Sequence, residues 1–162
     1  MAAVDYFLKI DGIPGESGDA THKDEIQVLS FSFGESQSGT MAFGGGGGGG
    51  KVQMQDMHFM MHASKASPKL FQACALGEHI PKAVLIARKA GKGQQEYHKF
   101  TFTDILVSSY QTSGEGSSNH QAVDSISLNF AAIEIEYKVQ KADGSLSPGT
   151  TVMYNLKEMQ SK

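Results

Sequence analysis

"SISLNFAAIEIEYKV", residues 125–139, carries its apolar side chains in two interleaved sets. Ile126, Leu128 and Phe130 alternate at the period of a β-strand, and Ile133, Ile135 and Tyr137 then continue on the opposite parity. A one-residue slip carries every side chain to the other face of a sheet. The switch therefore needs either a bulge that re-aims the strand or two faces that are both buried. Two further stretches share it. In "IQVLSFSF" (26–33) Ile26 and Val28 give way to Leu29, Phe31 and Phe33, and in "KFTFTDILV" (99–107) Phe100 and Phe102 give way to Ile105 and Val107. Two origins stay open: a corner where a strand passes between sheets of one domain, or an apolar segment turned towards a neighbouring subunit. On the second, Leu29, Phe31, Phe33, Ile133, Ile135 and Tyr137 are the subunit-interface candidates.

Working outward, "VDYFLKI" (4–10) places Val4, Tyr6, Leu8 and Ile10 on one strand face, and Gly, Pro and charge mark a loop between Gly12 and Glu25. "KVQMQDMHFMM" (51–61), "KAVLIARKA" (82–90), "YHKFTFTDILVSS" (97–109) and "TTVMYNLKE" (150–158) complete about seven strands, the pattern of an antiparallel sandwich or barrel. The serine-rich "VSSYQTSGEGSSNH" reads as a flexible polar loop. One helix interrupts the strands, with Ser67 as cap, Pro68 at its first position and Gly77 after its last. Leu70, Phe71 and Cys74 share its apolar face, so it is expected to plug a sheet edge or barrel mouth.

The 162 residues suit one domain, residues 1–162, with 40% apolar and 19% charged residues and 19 glycines, a turn-rich globular composition. A net charge of -3 with scattered lysines offers neither nucleic acid nor an acidic membrane surface a basic stripe. No run is long enough for membrane insertion, and "MAAVDYFLKID" lacks the basic start and apolar core of a signal peptide. Cys74 alone cannot form an intramolecular disulfide and reads as a small buried side chain.

Seven glycines precede Lys51, and Gly45 to Lys51 satisfies the G-x-x-x-x-G-K pattern of a phosphate loop. Val52 stands where Ser or Thr would ligate Mg²⁺, however, and a strand follows where the phosphate-binding helix must begin. Slack is the better account. A hairpin between Phe33 and Val52 needs two to five residues, so the loop at 39–51 is far longer than closure requires. Gly39, Gly44 and Gly50 give reach, Met41 and Phe43 give apolar contact, and Lys51 closes the segment; ordering of the run would have to come from a partner. His58 and His62, four apart on a strand, lie about 13 Å from each other, too far to share a metal. His22, His79, His98 and His120 are expected to be solvated. No nucleophile elbow, H-E-x-x-H or cysteine pair is present, so no catalytic, cofactor-binding or metal-ligating residue is assigned and an enzyme is not expected.

"GESGDATHKDEIQVLSFSFG", "GGKVQMQDMHF", "SPKLFQACALGEHIPKAVLIARKAG" and "LNFAAIEIEYKVQKADG" resemble, in order and over essentially the whole chain, the Hcp (haemolysin-coregulated protein) tube proteins of bacterial type VI secretion systems. Phe31 and Phe33 stand where that family often has Trp. The resemblance implies a mainly β protein, an antiparallel β-barrel with one short helix, assembling into a homo-hexameric ring. It implies stacked rings that a contractile sheath ejects, contacts with sheath, spike and baseplate proteins, and small secreted effectors carried in the lumen. It places Ser32, between two aromatics, on that lumen, and the Gly39–Lys51 loop against a neighbouring subunit or the next ring. It also implies residence in the bacterial cytoplasm before firing, export without a signal peptide, and no C-terminal toxin domain. The competing class is a monomeric barrel that binds a small apolar ligand inside.

Overall fold

The computed structural model describes residues 4–37, 52–89, 95–117, 119–158 and 160–161. In chain order these form β1 (Val4–Ile10), β2 (Ile26–Ser32), β3 (Glu35–Gln37), β4 (Val52–Met54), β5 (Met57–His62), α1 (Ala66–Leu76), β6 (His79–Lys89), β7 (Glu96–Ser113), β8 (Val123–Gln140), β9 (Leu146–Asn155) and β10 (Gln160–Ser161). Strands β8, β5, β2, β1, β6 and β7 pair in that order, and β7 returns to β8, so six antiparallel strands close a barrel. Closure leaves these six without a free edge along the paired stretches. The barrel alternative of the sequence pattern is therefore the one realised. The β9–β10 pair extends the far half of β8, and β3 with β4 makes a separate two-stranded ribbon.

The parity switches have distinct causes. In β2 the register jumps from Val28 opposite Met61 to Ser30 opposite Met60, so Leu29 is an extra residue and the strand is re-aimed by a bulge. In β7 and β8 no residue is inserted at the switch. Thr103 faces Ala132 and Ile105 faces Phe130, and between them Asp104 takes a φ of 50°. Both strands turn a corner together, so Phe100, Phe102, Ile105 and Val107, with Ile126, Leu128, Phe130 and Ile133, join one core despite opposite parities. Later in β7, Ser108 is a second inserted residue. The strand runs on to Ser113, further than the polar loop expected from 107 onward.

Phe59, Phe102, Leu8, Leu85, Ile126 and Leu128 are all fully enclosed and fill the barrel axis. Each such side chain contributes roughly 1.5–3 kcal/mol of burial. In β9, Pro148 and Gly149 bulge where Tyr137 pairs with Thr150 but Val139 with Ser147. A Cβ on Gly149 would land on the Tyr137 carbonyl, so only glycine fits there.

Helix α1 plugs one mouth of the barrel through Ala66, Leu70 and Ala73. It begins before Ser67, which corrects the expected cap: the Ser64 hydroxyl accepts from the Ala66 N–H at 3.2 Å, and Pro68 lies inside the first turn, where no intrahelical amide is required. Gly77, at φ 61°, ends it as expected, with Glu78 N–H bonding to the Ala73 carbonyl at 3.0 Å. Phe71 does not share the buried face. It is 59% exposed, because the helix phase is set by Ala66, Leu70 and Ala73, and Cys74 is only half-buried.

Candidate functional site

Among the described residues, the outer surface of the barrel divides into a half covered by a loop and a half without such a cover. Over β1 and β6 lies the 12–25 loop, and beneath it the Phe7 ring is buried although it points away from the barrel axis. His22 stacks on Phe7 with centroids 4.6 Å apart, its Nδ1 2.7 Å from Glu25 and its Nε2 2.7 Å from Glu96. His22 is 3% exposed, which corrects the expectation of a solvated side chain. Arg88, also buried, reaches Asp19 and Asp5 and holds its guanidinium 4.8 Å from the Phe7 ring centre. The hydrogen bonds from Arg88, followed by backbone N–H groups of Thr21 and His22, hold the Asp19 carboxyl well below the usual range; Asp19 in turn raises the guanidinium's own value. Gly15 lets this loop close, since a Cβ there would strike the Glu25 carbonyl. The sequence signal was the even spacing of Asp19, His22 and Glu25, whose meaning depends on Arg88 and Glu96 far along the chain.

On the other half, the outer face of β2, β5, β8 and β7, the described residues supply no such cover. Register places two rows across it. Ser32 faces His58, which faces Ser127, which faces Ser109; one step along, Ser30 faces Met60, which faces Ser125, which faces Gln111. Ser32, His58 and Met60 are exposed. The inserted Ser108 donates to Asp56 at 2.6 Å and lies 2.7 Å from the Ser127 hydroxyl, which also meets Ser109, while Asn129 donates to the other Asp56 oxygen at 2.9 Å. The result is a hydroxyl-rich stretch in which the Asp56 carboxylate is tied down. Leu29 borders it, sharing with His62 a groove of about 480 Å³ that also touches Asp5 and Tyr6.

At the helix end, Asp124 is 1% exposed and accepts hydrogen bonds from the Ser67 hydroxyl at 2.5 Å and the Tyr110 hydroxyl at 3.3 Å. Burial, then the Asp124 charge, pushes the Tyr110 phenol up and keeps it a donor. At the opposite end, β8 and β9 run past the barrel and leave Tyr137, Val139 and Val152 exposed. Tyr137 meets Tyr97 and His98 edge-on at 5.9 and 5.3 Å. His98 is 4.4 Å from Phe100, and burial lowers its pKa, so it too differs from the solvated side chain expected.

The residues singled out from the sequence therefore separate. Ser32 and Leu29 reach the outer surface; Phe31 is half-buried against Tyr6 and Phe100, and Phe33 against Phe130. Ile135 is half-buried opposite Phe100, and Tyr137 is 45% exposed. Ile133, opposite Phe102, is 4% exposed and belongs to the core, so its side chain is not a contact surface. Gly39, Met41, Phe43, Gly44, Gly50 and Lys51 lie outside the described residues. Met60 and the Ser108–Ser127–Asp56 cluster were missed: alternation marked them as outward, but only the pairing register brings them beside Ser32. Among the described residues no three His, Cys, Asp or Glu side chains converge as a metal site would require.

The molecule is an antiparallel barrel filled along its axis and sheathed on one side by its own loop. A family model described as "Type VI secretion system effector, Hcp" matches residues 7–137. The chain is 47% identical over 148 residues to "Protein hcp1" of Pseudomonas aeruginosa, covering 91% of both chains. Among solved structures it superposes on Hcp1 from Salmonella typhimurium with a TM-score of 0.80 at 35% identity, covering 99% of this chain and 100% of that one. A structure described as a type six secretion system protein gives 0.93 at 28% identity with the same coverage. The chain belongs to the Hcp family of type VI secretion proteins, in which ring assembly is characteristic.

Proposed function

We propose that this chain is a non-enzymatic tube subunit of a bacterial type VI secretion system, six copies closing a ring and rings stacking into the tube that sheath contraction drives out of the cell. The family assignment supports the tube role. The observation that carries the geometry is the bare four-stranded face with Ser32 at its edge: in a closed ring this face lines the lumen and meets small effectors. Tyr137, Leu29 and the half-buried Phe31, Phe33 and Ile135 supply contacts between protomers, and the Gly39–Lys51 loop reaches a neighbouring subunit or the next ring. The filled interior counts against a barrel that binds a small molecule inside. In this reading the protein meets sheath, spike and baseplate proteins in the cytoplasm before firing and leaves the cell through the apparatus.

The test is to label Ser32→Cys, in a Cys74→Ser background, with maleimide-linked gold and image the assemblies. Gold in the central hole supports the proposed orientation. Gold on the outer rim would show that another face lines the lumen.

A further inference from the structure

The covering loop reads "ESGDATHKDE" over residues 16–25 and sets one histidine among the carboxylates Glu16, Asp19, Asp24 and Glu25. The fold buries that histidine between one of them and a carboxylate from the start of β7. Its Nδ1 lies 2.7 Å from a Glu25 oxygen and its Nε2 lies 2.7 Å from a Glu96 oxygen. A neutral imidazole carries one N–H and one lone pair, so it donates to one carboxylate and turns the lone pair on the other. Both contacts are hydrogen bonds only when the trio holds one proton more than a neutral histidine and two ionised glutamates. The surroundings press the same way. Asp19 accepts from the His22 backbone N–H at 3.1 Å, and Arg88 on β6, bonded to Asp19 and Asp5, lies 4.8 Å from the centre of the Phe7 ring on which His22 stacks. Asp5, Asp19, Glu25 and Glu96 thus meet a single guanidinium unless the extra proton is present. Lys23 and Asp24 are exposed, with Asp24 reaching Lys65 at 3.8 Å, and Lys89 turns to Tyr97 and Gln140.

We propose that His22, Glu25 and Glu96 form a proton-operated latch: the proton they share fastens the covering loop to β7, and its loss as pH rises frees the His22 end of the loop. The sign follows from the proton balance. The closed loop binds one proton more than the open one, so this part of its stability is fully present below histidine's ordinary value of about 6.5. It is lost as pH rises above that value, by up to about tenfold in the closed-to-open ratio per pH unit. The other anchor of the loop keeps its charges over this range, because Arg88 holds Asp19 below its ordinary value and Asp19 raises Arg88 above its own. Rising pH therefore acts on the His22 end alone. Release lifts the imidazole from Phe7 and loosens the backbone pairing of Gly15 and Ser17 with Asp24 and Glu25. Ser17 also lines the groove that Leu29 and His62 share, so the latch controls one wall of that groove. None of these latch residues belongs to the face with Ser32, and the latch works whichever face lines the lumen.

The test is hydrogen exchange on the full chain in its native assembly, wild type beside Glu96→Gln and His22→Gln, between about pH 6 and about pH 9, a range centred above histidine's ordinary value. Every rate is corrected for the intrinsic pH dependence of amide exchange. The amides of Gly15, Ser17 and Asp24, bonded within the loop, report its opening, and those of β5 report the barrel. In wild type the protection of the loop amides is expected to fall at least about tenfold across this range while β5 holds. Glu96 is 41% exposed, so Glu96→Gln leaves the fold intact and puts a neutral amide beside Nε2. That trio needs no extra proton, and its loop protection is expected to change less than about twofold. His22→Gln is expected to abolish the slope too. Wild-type protection that does not vary with pH would overturn the latch. A slope in either variant equal to that of wild type would assign the proton to another group and overturn the role of the trio.

Discussion

Arg88 donates from its two terminal nitrogens to the two carboxylate oxygens of Asp19, at 3.0 and 2.8 Å, across 69 residues of sequence. This two-pronged pair ties the covering loop to β6, and Asp5 adds a longer contact at 3.4 Å. The folded-state pKa of Asp19 lies below its ordinary 3.8, so the pair's contribution is present above that value and is lost as pH falls through it towards the folded value. Thermal melts from neutral pH down to strongly acid pH should show wild type above Asp19→Asn at neutrality, with the gap closing below about pH 4. A gap independent of pH would mean that the carboxylate charge plays no part.

Asp124 fastens the helix plug to the barrel through Ser67 and Tyr110. Asp124→Ala leaves two hydroxyl donors without their acceptor and should cost about 2 kcal/mol, roughly 6 °C in Tm. Hydrogen exchange should rise first in Ala66–Leu76. Uniform loss of protection across the barrel would contradict a local latch.

The β-period of residues 125–139 was legible, and so was the end of the helix at Gly77, because alternation and a left-handed glycine are local. The meaning of the parity switch was not. It turns on Asp104, whose positive φ bends β7 and β8 together and leaves both apolar sets in one core. His22 was misjudged because one of its carboxylate partners is 74 residues away. Ser67 was misjudged because the helix begins before it, at Ala66, so Ser67 lies inside the first turn, where its hydroxyl accepts from the Ser64 N–H and donates to Asp124. Ser32 is exposed on β2, and the surface it belongs to depends on the register of three further strands, which local alternation does not give.

Tyr137, exposed beside Val139 and Val152, is the candidate whose replacement separates folding from assembly. Tyr137→Glu should leave the circular dichroism spectrum and Tm close to wild type while shifting the sedimentation profile to monomer, since a buried interfacial carboxylate without a partner costs several kcal/mol. An unchanged sedimentation profile would remove this end of β8 from the protomer contacts.

Shortening the seven-glycine run from seven to two should leave the barrel and the ring unaffected but reduce tube formation and secretion. Ordering each glycine costs about 1 to 2 kcal/mol, so reach is retained only where a partner compensates. Secretion at the parental level would make the segment a tolerated linker.

The most direct test of the account is the mass of the purified chain by native mass spectrometry and light scattering at tens of micromolar. A closed ring of six protomers is expected, with no ladder of intermediate sizes, because cyclic symmetry satisfies every interface at once. A strictly monomeric mass would contradict the tube-subunit account.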